Sequence, residues 1–444
     1  MERAAALAQR GPQLEAVRVQ TIASLKTETW RGRELGNVAH AHGKLAYRGD
    51  EWSELMDVLA QVALPQLHDF NSQELSNTAW AYAKAGHASP DLFEAVAQAA
   101  LPQLHNFTEQ ALSNTVWAYA TAGHASPDLF EAVAKAALPQ LHSFTEQNLS
   151  NTAWAYATAG HASPDLFEAV AQAALPQLRN FKPQNLSNTA WAFAVADAPS
   201  GMLFSESEFV KLCTTAAFSD GELSQLHQWA LWIEERSEEW PRLPSPLAAR
   251  CRAAFCAEEG VSSKLQTQVA TELVGLGLKL SEEVRTPQGY SLDAVVVVEG
   301  RDVAVEVDGP SHFVGRTGTP SGSTMLKRRQ LRAAGWPLLS VPYWEWDAFG
   351  KGNTAAKRAY LEQGLGGVLS ATSATTAATN HQRAGDHAPI AVKANAGTDD
   401  KKMQMKMEEL QMQARSRRQR VLANAGTEDK KMQLFKDLVR DLRE

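Results

Sequence analysis

The chain has 444 residues, of which 44% are hydrophobic and 21% charged, and its formal net charge is −7. This composition is typical of a globular protein with two or three domains, and it disfavours a basic coat over the whole chain while leaving room for a local basic face. Three cysteines are too few for a disulfide framework or a zinc cage, and the absence of any run of eighteen apolar residues excludes a membrane-spanning segment.

Residues 1–29 form an N-terminal segment whose arginines and alanines are compatible with an amphipathic helix. Glu2 and Glu15 lie within it, although organelle transit peptides usually avoid acidic residues. The segment also lacks the apolar core of a secretory signal peptide. We therefore interpret it as no more than part of a targeting region.

Residues 30–236 contain a repeated sequence. The tract LSNTAWAYA returns three times at intervals of 37 residues, and degenerate copies stand at both ends, the first of them three residues out of phase. A fixed period of this length predicts an α-solenoid of about six stacked helical hairpins. The copies begin at Leu35, Leu75, Leu112, Leu149, Leu186 and Leu223.

Each unit is predicted to hold two helices, A and B, as the copy at residue 112 illustrates. Thr108 is suited to begin helix A, because its hydroxyl can accept a hydrogen bond from a free backbone N–H of the first turn. Gly123 can end that helix in the left-handed conformation. Helix B then begins with Ser126 as its cap and Pro127 at its first position.

Helix A carries one tryptophan and one asparagine in each of the four central units. We interpret the tryptophans as core residues, with base stacking as the alternative. Asparagine side chains that recur once per unit can bind successive bases of RNA. Alternatively, they form hydrogen bonds between neighbouring units and contact no RNA. The units are not basic, so affinity for phosphates would come mostly from elsewhere. The candidate RNA-binding residues here are Asn77, Asn114, Asn151 and Asn188.

The region after the repeats changes character twice. Residues 237–286 are Ala-rich and non-periodic and are predicted to form a helical connector. Residues 287–365 are predicted to form a small α/β domain. It contains two strands, SLDAVVVV and VAVEV, joined by a hairpin turn, then a loop, the basic helix TMLKRRQLRAAGW and a last strand, PLLSVPYWEW.

The chemistry of the α/β domain centres on the sequence EVDGPSH. Glu306 and Asp308 share one face because they are two apart on a strand, and hairpin pairing brings Asp293 beside them. Three converging carboxylates suit a magnesium ion, which could orient water for phosphodiester cleavage. His312 would then serve as general acid or base. The candidate phosphate ligands on the basic helix are Lys327, Arg328, Arg329 and Arg332.

The text AVEVDGPSHF, the Lys/Arg-rich helix with LRAAGW, and LLSVPYWEW together resemble a RAP domain, an RNA-binding module. The repeats resemble the heptatricopeptide and octotricopeptide families, and FAST kinase-like mitochondrial proteins share this arrangement. The resemblance implies a fold similar to restriction endonucleases. It also implies RNA binding in a mitochondrion or chloroplast, in processing, stabilisation, splicing, translation or ribosomal-RNA assembly.

Three functional hypotheses remain open. The leading one is an RNA-binding protein that requires no cofactor. The second is a Mg-dependent endoribonuclease using Asp293, Glu306, Asp308 and His312, although Asp308 stands where the common endonuclease pattern has lysine. The third is a protein-interaction scaffold in which only the RAP domain contacts RNA. For EVDGPSH itself, a purely structural role as a turn is a further alternative.

Residues 366–444 are predicted to form a flexible linker and a charged helical tail. The linker is rich in Ser, Thr, Ala and Asn, and the segment KANAGTDDKKMQ recurs as LANAGTEDKKMQ. The charged, Met-rich stretch between the two copies is typical of a solvent-exposed helix, with docking of a protein partner as the alternative.

Overall fold

The computed structural model describes residues 2–45, 50–198, 200–205, 207–236, 240–257, 262–315, 317–350 and 352–379. Within these ranges the chain forms a helical solenoid followed by a small α/β unit, which confirms the predicted fold class. Among the described helices, none combines the length and the apolarity needed to cross a membrane.

Helices of the repeat region alternate between two layers. In each unit helix A packs on helix A of the next unit, forming the ladder α2–α4–α6–α8–α10–α13. In chain order the helices are α1 (Glu2–Thr27), α2 (Gly32–Leu45), α3 (Asp50–Ala63), α4 (Ser72–Ala85), α5 (Pro90–Ala100), α6 (Glu109–Ala122), α7 (Pro127–Ala137), α8 (Glu146–Thr158), α9 (Pro164–Ala174), α10 (Pro183–Ala196), α11 (Gly201–Phe204), α12 (Ser207–Thr215) and α13 (Asp220–Glu235).

Helix A begins and ends as the sequence predicts. The Thr108 hydroxyl accepts a hydrogen bond from the Ala111 backbone N–H at 3.2 Å, and Gly123 ends α6 with φ of 63°. Helix B differs in one detail, because Ser126 precedes Pro127 but its side chain makes no capping hydrogen bond. Pro127 has no backbone N–H to satisfy, and its fixed φ suits the first turn of a helix, so α7 can start without a side-chain cap.

The sequence interpretation missed one segment and one set of core residues. A short 3-10 helix follows each of the helices α3, α5, α7 and α9, the second of them at Leu101–Asn106. Buried tyrosines join three of the A helices, α4, α6 and α8, to the previous helix B. The Tyr119 hydroxyl, for example, donates to the Phe93 carbonyl at 2.5 Å, and Tyr82 and Tyr156 make the equivalent bonds in the neighbouring units. Such bonds satisfy the polar tip of a buried tyrosine.

The α/β unit contains a four-stranded sheet in the order β1-β2-β3-β4. The first three strands are antiparallel, and β4 is parallel to β3. The helices are α14 (Ser245–Ala257), α15 (Lys264–Gly275), α16 (Gly322–Ala333), α17 (Tyr343–Ala348) and α18 (Thr354–Thr379), and the strands are β1 (Lys279–Arg285), β2 (Ser291–Val298), β3 (Arg301–Asp308) and β4 (Leu338–Pro342). The turn between β2 and β3 is the predicted hairpin, with positive φ at Glu299 and Gly300.

Three details of this region differ from the prediction. Strand β1 lies inside the range predicted as helical connector. The last strand ends at Pro342, because proline has no N–H to continue the ladder, and residues 343–348 are helical. The predicted linker begins inside α18, which continues to Thr379. The rest of the predicted tail, residues 380–444, lies outside the described residues.

The α/β unit packs directly against the end of the solenoid. Helix α16 lies on α8, α10 and α13, and its Leu326 is buried in the hydrophobic core of the repeats. The approach is close, since a Cβ at Gly322 would come within 1.9 Å of the Ala157 carbonyl oxygen. Arg329 donates to the Val195 carbonyl at 3.1 Å and also to that of Ala194. A cation there is favourable because the last carbonyls of a helix have no partner within it.

Candidate functional site

The A helices present a row of amide and aromatic side chains, which we call the A-helix row. Asn77, Asn114 and Asn151 are half-buried, and within the described part of the chain they make no side-chain hydrogen bond. Each lies three residues before a half-buried tryptophan, on the same helix face. The row therefore consists of Asn77, Trp80, Asn114, Trp117, Asn151 and Trp154, extended at its first end by His40.

Neighbouring rings at the first end of the A-helix row lie close to each other. The centroids of Trp80 and Trp117 are 6.4 Å apart, and His40 lies 4.8 Å from Trp80. The sequence interpretation of the tryptophans as core residues is right for Trp191, which is 6% exposed, and only half right for the others. His40 was missed because the first copy has histidine at the position that holds tryptophan in the central units. Half-buried rings retain an accessible edge or face for a ligand.

At its last unit the A-helix row joins the α/β unit. Asn188 is buried and accepts a hydrogen bond from Gln225 at 3.1 Å, so at this position the asparagine takes part in a ladder between units. The indole N–H of Trp191 donates to Gln228 at 2.9 Å, and the Gln228 amide donates to the Tyr290 hydroxyl at 2.9 Å. The ring centroids of Trp154 and Trp191 are 6.5 Å apart, so contacts lead from the last ring of the row through Trp191 into the α/β unit.

Carboxylates and cations meet as pairs on β3 and α16. The Lys327 ammonium lies 2.5 Å from Glu306 Oε2, and the Arg328 guanidinium lies 2.7 Å from Asp308 Oδ2. Asp308 also contacts His312 Nδ1 at 2.7 Å. Alternation along β3 places both acids on one face, where α16 covers them. The predicted meeting of acids and basic helix is therefore present, with the charges paired.

The third predicted acid, Asp293, accepts hydrogen bonds from the backbone of β3 and from a side chain of α15. Its Oδ2 accepts from the Val307 N–H at 2.7 Å, and its Oδ1 accepts from the Gln266 side chain at 2.6 Å. Both carboxylate oxygens therefore have protein partners. Asp293 still lies close enough to raise the pKa of Glu306 electrostatically.

The pKa values of the two acids on β3 shift in opposite directions. Burial raises the pKa of Glu306 to about 7, with the Lys327 ammonium opposing the rise. Burial also acts to raise the pKa of Asp308, but hydrogen bonds from His312, Ser340 and Arg328 outweigh it and leave that pKa below its ordinary value. Near neutral pH, Asp308 is therefore ionised while Glu306 is divided between its two forms.

This arrangement does not fit the predicted magnesium site. Among the described residues, no group of three His, Cys, Asp or Glu side chains is placed to hold a metal ion. Lys327 and Arg328 already supply the positive charge that a divalent cation would bring to Glu306 and Asp308. Metal-assisted cleavage through Asp293, Glu306, Asp308 and His312 stays a prediction from the sequence.

The remaining predicted cations diverge from the acids. Arg329 faces the solenoid, where it contacts the end of α10, and Arg332 is exposed to solvent. Of the aromatic residues near β4, Trp346 is buried and donates to Gln268 at 3.1 Å. Tyr343 and Trp344 are half-buried beside Phe313. Lys327 and Arg328 are thus the two predicted cations that stand at the acid cluster.

A cavity of about 400 Å³ opens between the last repeat and the α/β unit. Its lining includes the predicted residues Glu306, Asp308, His312, Lys327 and Arg328. Sequence reasoning missed the other side of the cavity, which is formed by Gln228, Phe255 and Tyr290. Gln228 stands 37 residues after Trp191, so the repeat register alone could have identified its position. The positions of Phe255 and Tyr290 carry no such signal.

These features define a helical-repeat protein whose solenoid ends against a small α/β domain with a buried acid–cation cluster. Residues 305–363 match the family model of the RAP domain, and the chain therefore carries a RAP domain over β3, α16, β4, α17 and the start of α18. Residues 17–199, which span most of the repeats, match the model described as RNA-editing substrate-binding complex 6 protein.

A curated relative is similar to this chain over a short stretch. The RAP domain-containing protein, chloroplastic, of Oryza sativa subsp. japonica is 44% identical to it over 87 residues. The match covers 20% of this chain and 13% of the relative. The chain thus spans only a small part of that relative's length.

Proposed function

We propose that this protein binds single-stranded RNA in an organelle, with the RNA lying along the A-helix row and reaching the cavity at the RAP domain. The observation that carries the proposal is the path from Trp154, the last ring of the row, through Trp191 and Gln228 to Tyr290 at the cavity. The RAP domain, the match to an RNA-editing substrate-binding protein and the chloroplastic relative support this function and a mitochondrial or chloroplast location.

The side chains of the row suit bases better than phosphates. Aromatic faces stack on any base, and amide groups can donate to and accept from base edges. The cations of the cavity supply the contacts to the sugar-phosphate chain. Because the row itself is not basic, we expect a salt dependence that reflects only the few cations at the RAP domain. The proposed function is therefore to bind an RNA, in a complex with other proteins, during its processing, stabilisation or translation or during ribosomal-RNA assembly.

The proposal is tested by RNA affinity. Replacing Trp117 and Trp154 together by alanine should weaken binding of a single-stranded RNA by at least about tenfold, since one stacked base contributes about 1–3 kcal/mol. Fluorescence anisotropy measures the affinity across a series of salt concentrations. Leu138→Ala is the matched control, because Leu138 is exposed on the 3-10 helix that follows α7 and lies outside the row.

The same experiment separates the competing hypotheses. Unchanged RNA affinity in the double tryptophan variant would contradict the proposed path and favour a protein scaffold. RNA cleavage that stops on addition of EDTA, or in Glu306→Ala, would instead favour an endoribonuclease. Binding that persists in EDTA and falls in the tryptophan variant supports the proposal.

A further inference from the structure

Two buried polar atoms of the acid–cation cluster lack a partner among the described residues. Glu306 Oε2 pairs with Lys327, but Glu306 Oε1 accepts no hydrogen bond. Arg328 bonds Asp308 and Ser340 through one terminal nitrogen, while its Nε donates to nothing. Glu306 and Arg328 both line the cavity. A buried unpartnered acceptor or donor is costly and calls for a ligand or an ordered water.

The cavity has the size and the lining of a site for a small polar molecule. Its volume of about 400 Å³ lies within the usual range of ligand pockets. Phe255 of α14 and Tyr290, directly before β2, supply an apolar wall, with ring centroids 4.9 Å apart. Lys327, Arg328 and the exposed Ser323, in the first turn of α16, supply polar groups to the same cavity.

We infer that this cavity binds one nucleotide of the RNA, with an exocyclic amino group of its base donating to Glu306 Oε1. The inference rests on the proposed function and adds a base preference to it. Carboxylates accept from base amino groups such as that of cytosine. The N–H of uracil, in contrast, lies between two carbonyl oxygens, which the ionised form of Glu306 and the ionised Asp308 would repel.

The cations and hydroxyl groups of the cavity then hold the phosphate of the same nucleotide. Lys327 keeps further N–H donors beyond its bond to Glu306, and Ser323 lies at the N-terminus of α16, where the helix dipole favours an anion. Ser311 and His312 stand at the same cavity. Base and phosphate are thus met by different groups of one pocket.

The test is a scan of one RNA of about eight nucleotides in which each cytidine is replaced in turn by uridine. In the wild-type protein, replacement at a single position should weaken binding about tenfold, because one base contact of this kind is lost. In Glu306→Gln the loss at that position should shrink to about twofold or less, since an amide offers a donor as well as an acceptor. Glu272→Gln is the matched control. Glu272 forms an ion pair with Arg358 at 2.9 Å, and neither residue lines the cavity.

The outcomes distinguish the inference from the function on which it rests. The tryptophan variant could lose affinity while no RNA position of the cytidine scan responds to Glu306→Gln. That result would overturn the inference, and ordered water would then fill the cavity. The proposed function would stand. Absence of RNA binding in the wild type would overturn both.

A second variant covers the case in which Glu306→Gln fails to fold. Lys327→Met should weaken binding at both cytidine and uridine and lower the salt slope by about one, because one phosphate contact is lost. An unchanged slope in a folded Lys327→Met protein would contradict the phosphate contact and with it the nucleotide in the cavity.

Discussion

Glu306 is a buried acid of the RAP domain in which burial and charge pairing act against each other. Its side chain is 3% exposed, it faces Lys327, and two further carboxylates lie nearby. Burial penalises its ionised form more than the lysine rewards it, which raises its pKa from 4.5 to about 7. Replacing a buried ion pair by neutral side chains of similar volume often leaves stability unchanged or raises it, so the Glu306–Lys327 pair is weak evidence for a role in stability.

This shift predicts how stability depends on pH. Because the pKa of Glu306 is higher in the folded protein than in the unfolded chain, the folded state binds more protons between pH 4.5 and about 7. The contribution is fully present below pH 4.5 and is lost as the pH rises through 7. We expect the free energy of unfolding of the wild type to fall by on the order of 2 kcal/mol relative to Glu306→Gln over that interval. Denaturant unfolding at several pH values measures it, and parallel profiles of the two proteins would contradict it.

Helices A and B of the repeats differ in how their N-terminal ends are stabilised. Helix A is capped by a side chain in the central units, at Thr108 and again at Thr145, each at 3.2 Å from its partner N–H. Helix B relies on proline at its first position. Neighbouring units repeat these choices, so the solenoid gains the same local stabilisation several times.

The two kinds of helix start predict different costs of mutation. Thr108→Ala removes a capping bond and should lower the free energy of unfolding by about 1 kcal/mol. Ser126→Ala removes a side chain that makes no such bond and should change it little. Circular dichroism during denaturant unfolding measures both variants. Equal losses would show that Ser126 caps helix α7 in solution after all.

Helix α16 belongs to the RAP domain and packs on the repeats, so it is one of the elements that join the two regions of the molecule. Leu326 lies in the core of the solenoid, and Arg329 binds the carbonyls at the end of α10. A glycine with positive φ follows each of the helices α4, α6 and α8, whereas α10 is followed by Asp197, which accepts bonds from Trp232 and Arg236. The last complete unit is therefore adapted to its neighbours.

Docking through Arg329 predicts a change in dynamics. Arg329→Met should leave the carbonyls of Ala194 and Val195 without their external donor and loosen α16 from the solenoid. Hydrogen exchange in α16 should become several-fold faster, because a charged hydrogen bond is lost. Arg332→Met is the matched control, since Arg332 lies on the same helix and is exposed. Identical exchange in both variants would refute the docking role.

Local sequence patterns determined the repeats and much of the RAP domain. The 37-residue period, the cap at Thr108, the glycine at residue 123 and the hairpin turn at Glu299 and Gly300 could all be predicted, because each depends on residues close together in the chain. The predicted final strand is too long. Its aromatic residues after Pro342 favour a strand, but the strand ends at Pro342 and a helix follows.

Only the tertiary structure decided how the site is arranged. The sequence placed Glu306 and Asp308 on one face, but their pairing with Lys327 and Arg328 depends on the packing of α16 over β3. The same packing turns Arg329 to the solenoid and builds a cavity with the last repeat. These contacts join residues far apart in the chain, and their geometry follows from the close packing of whole elements, which no local pattern records.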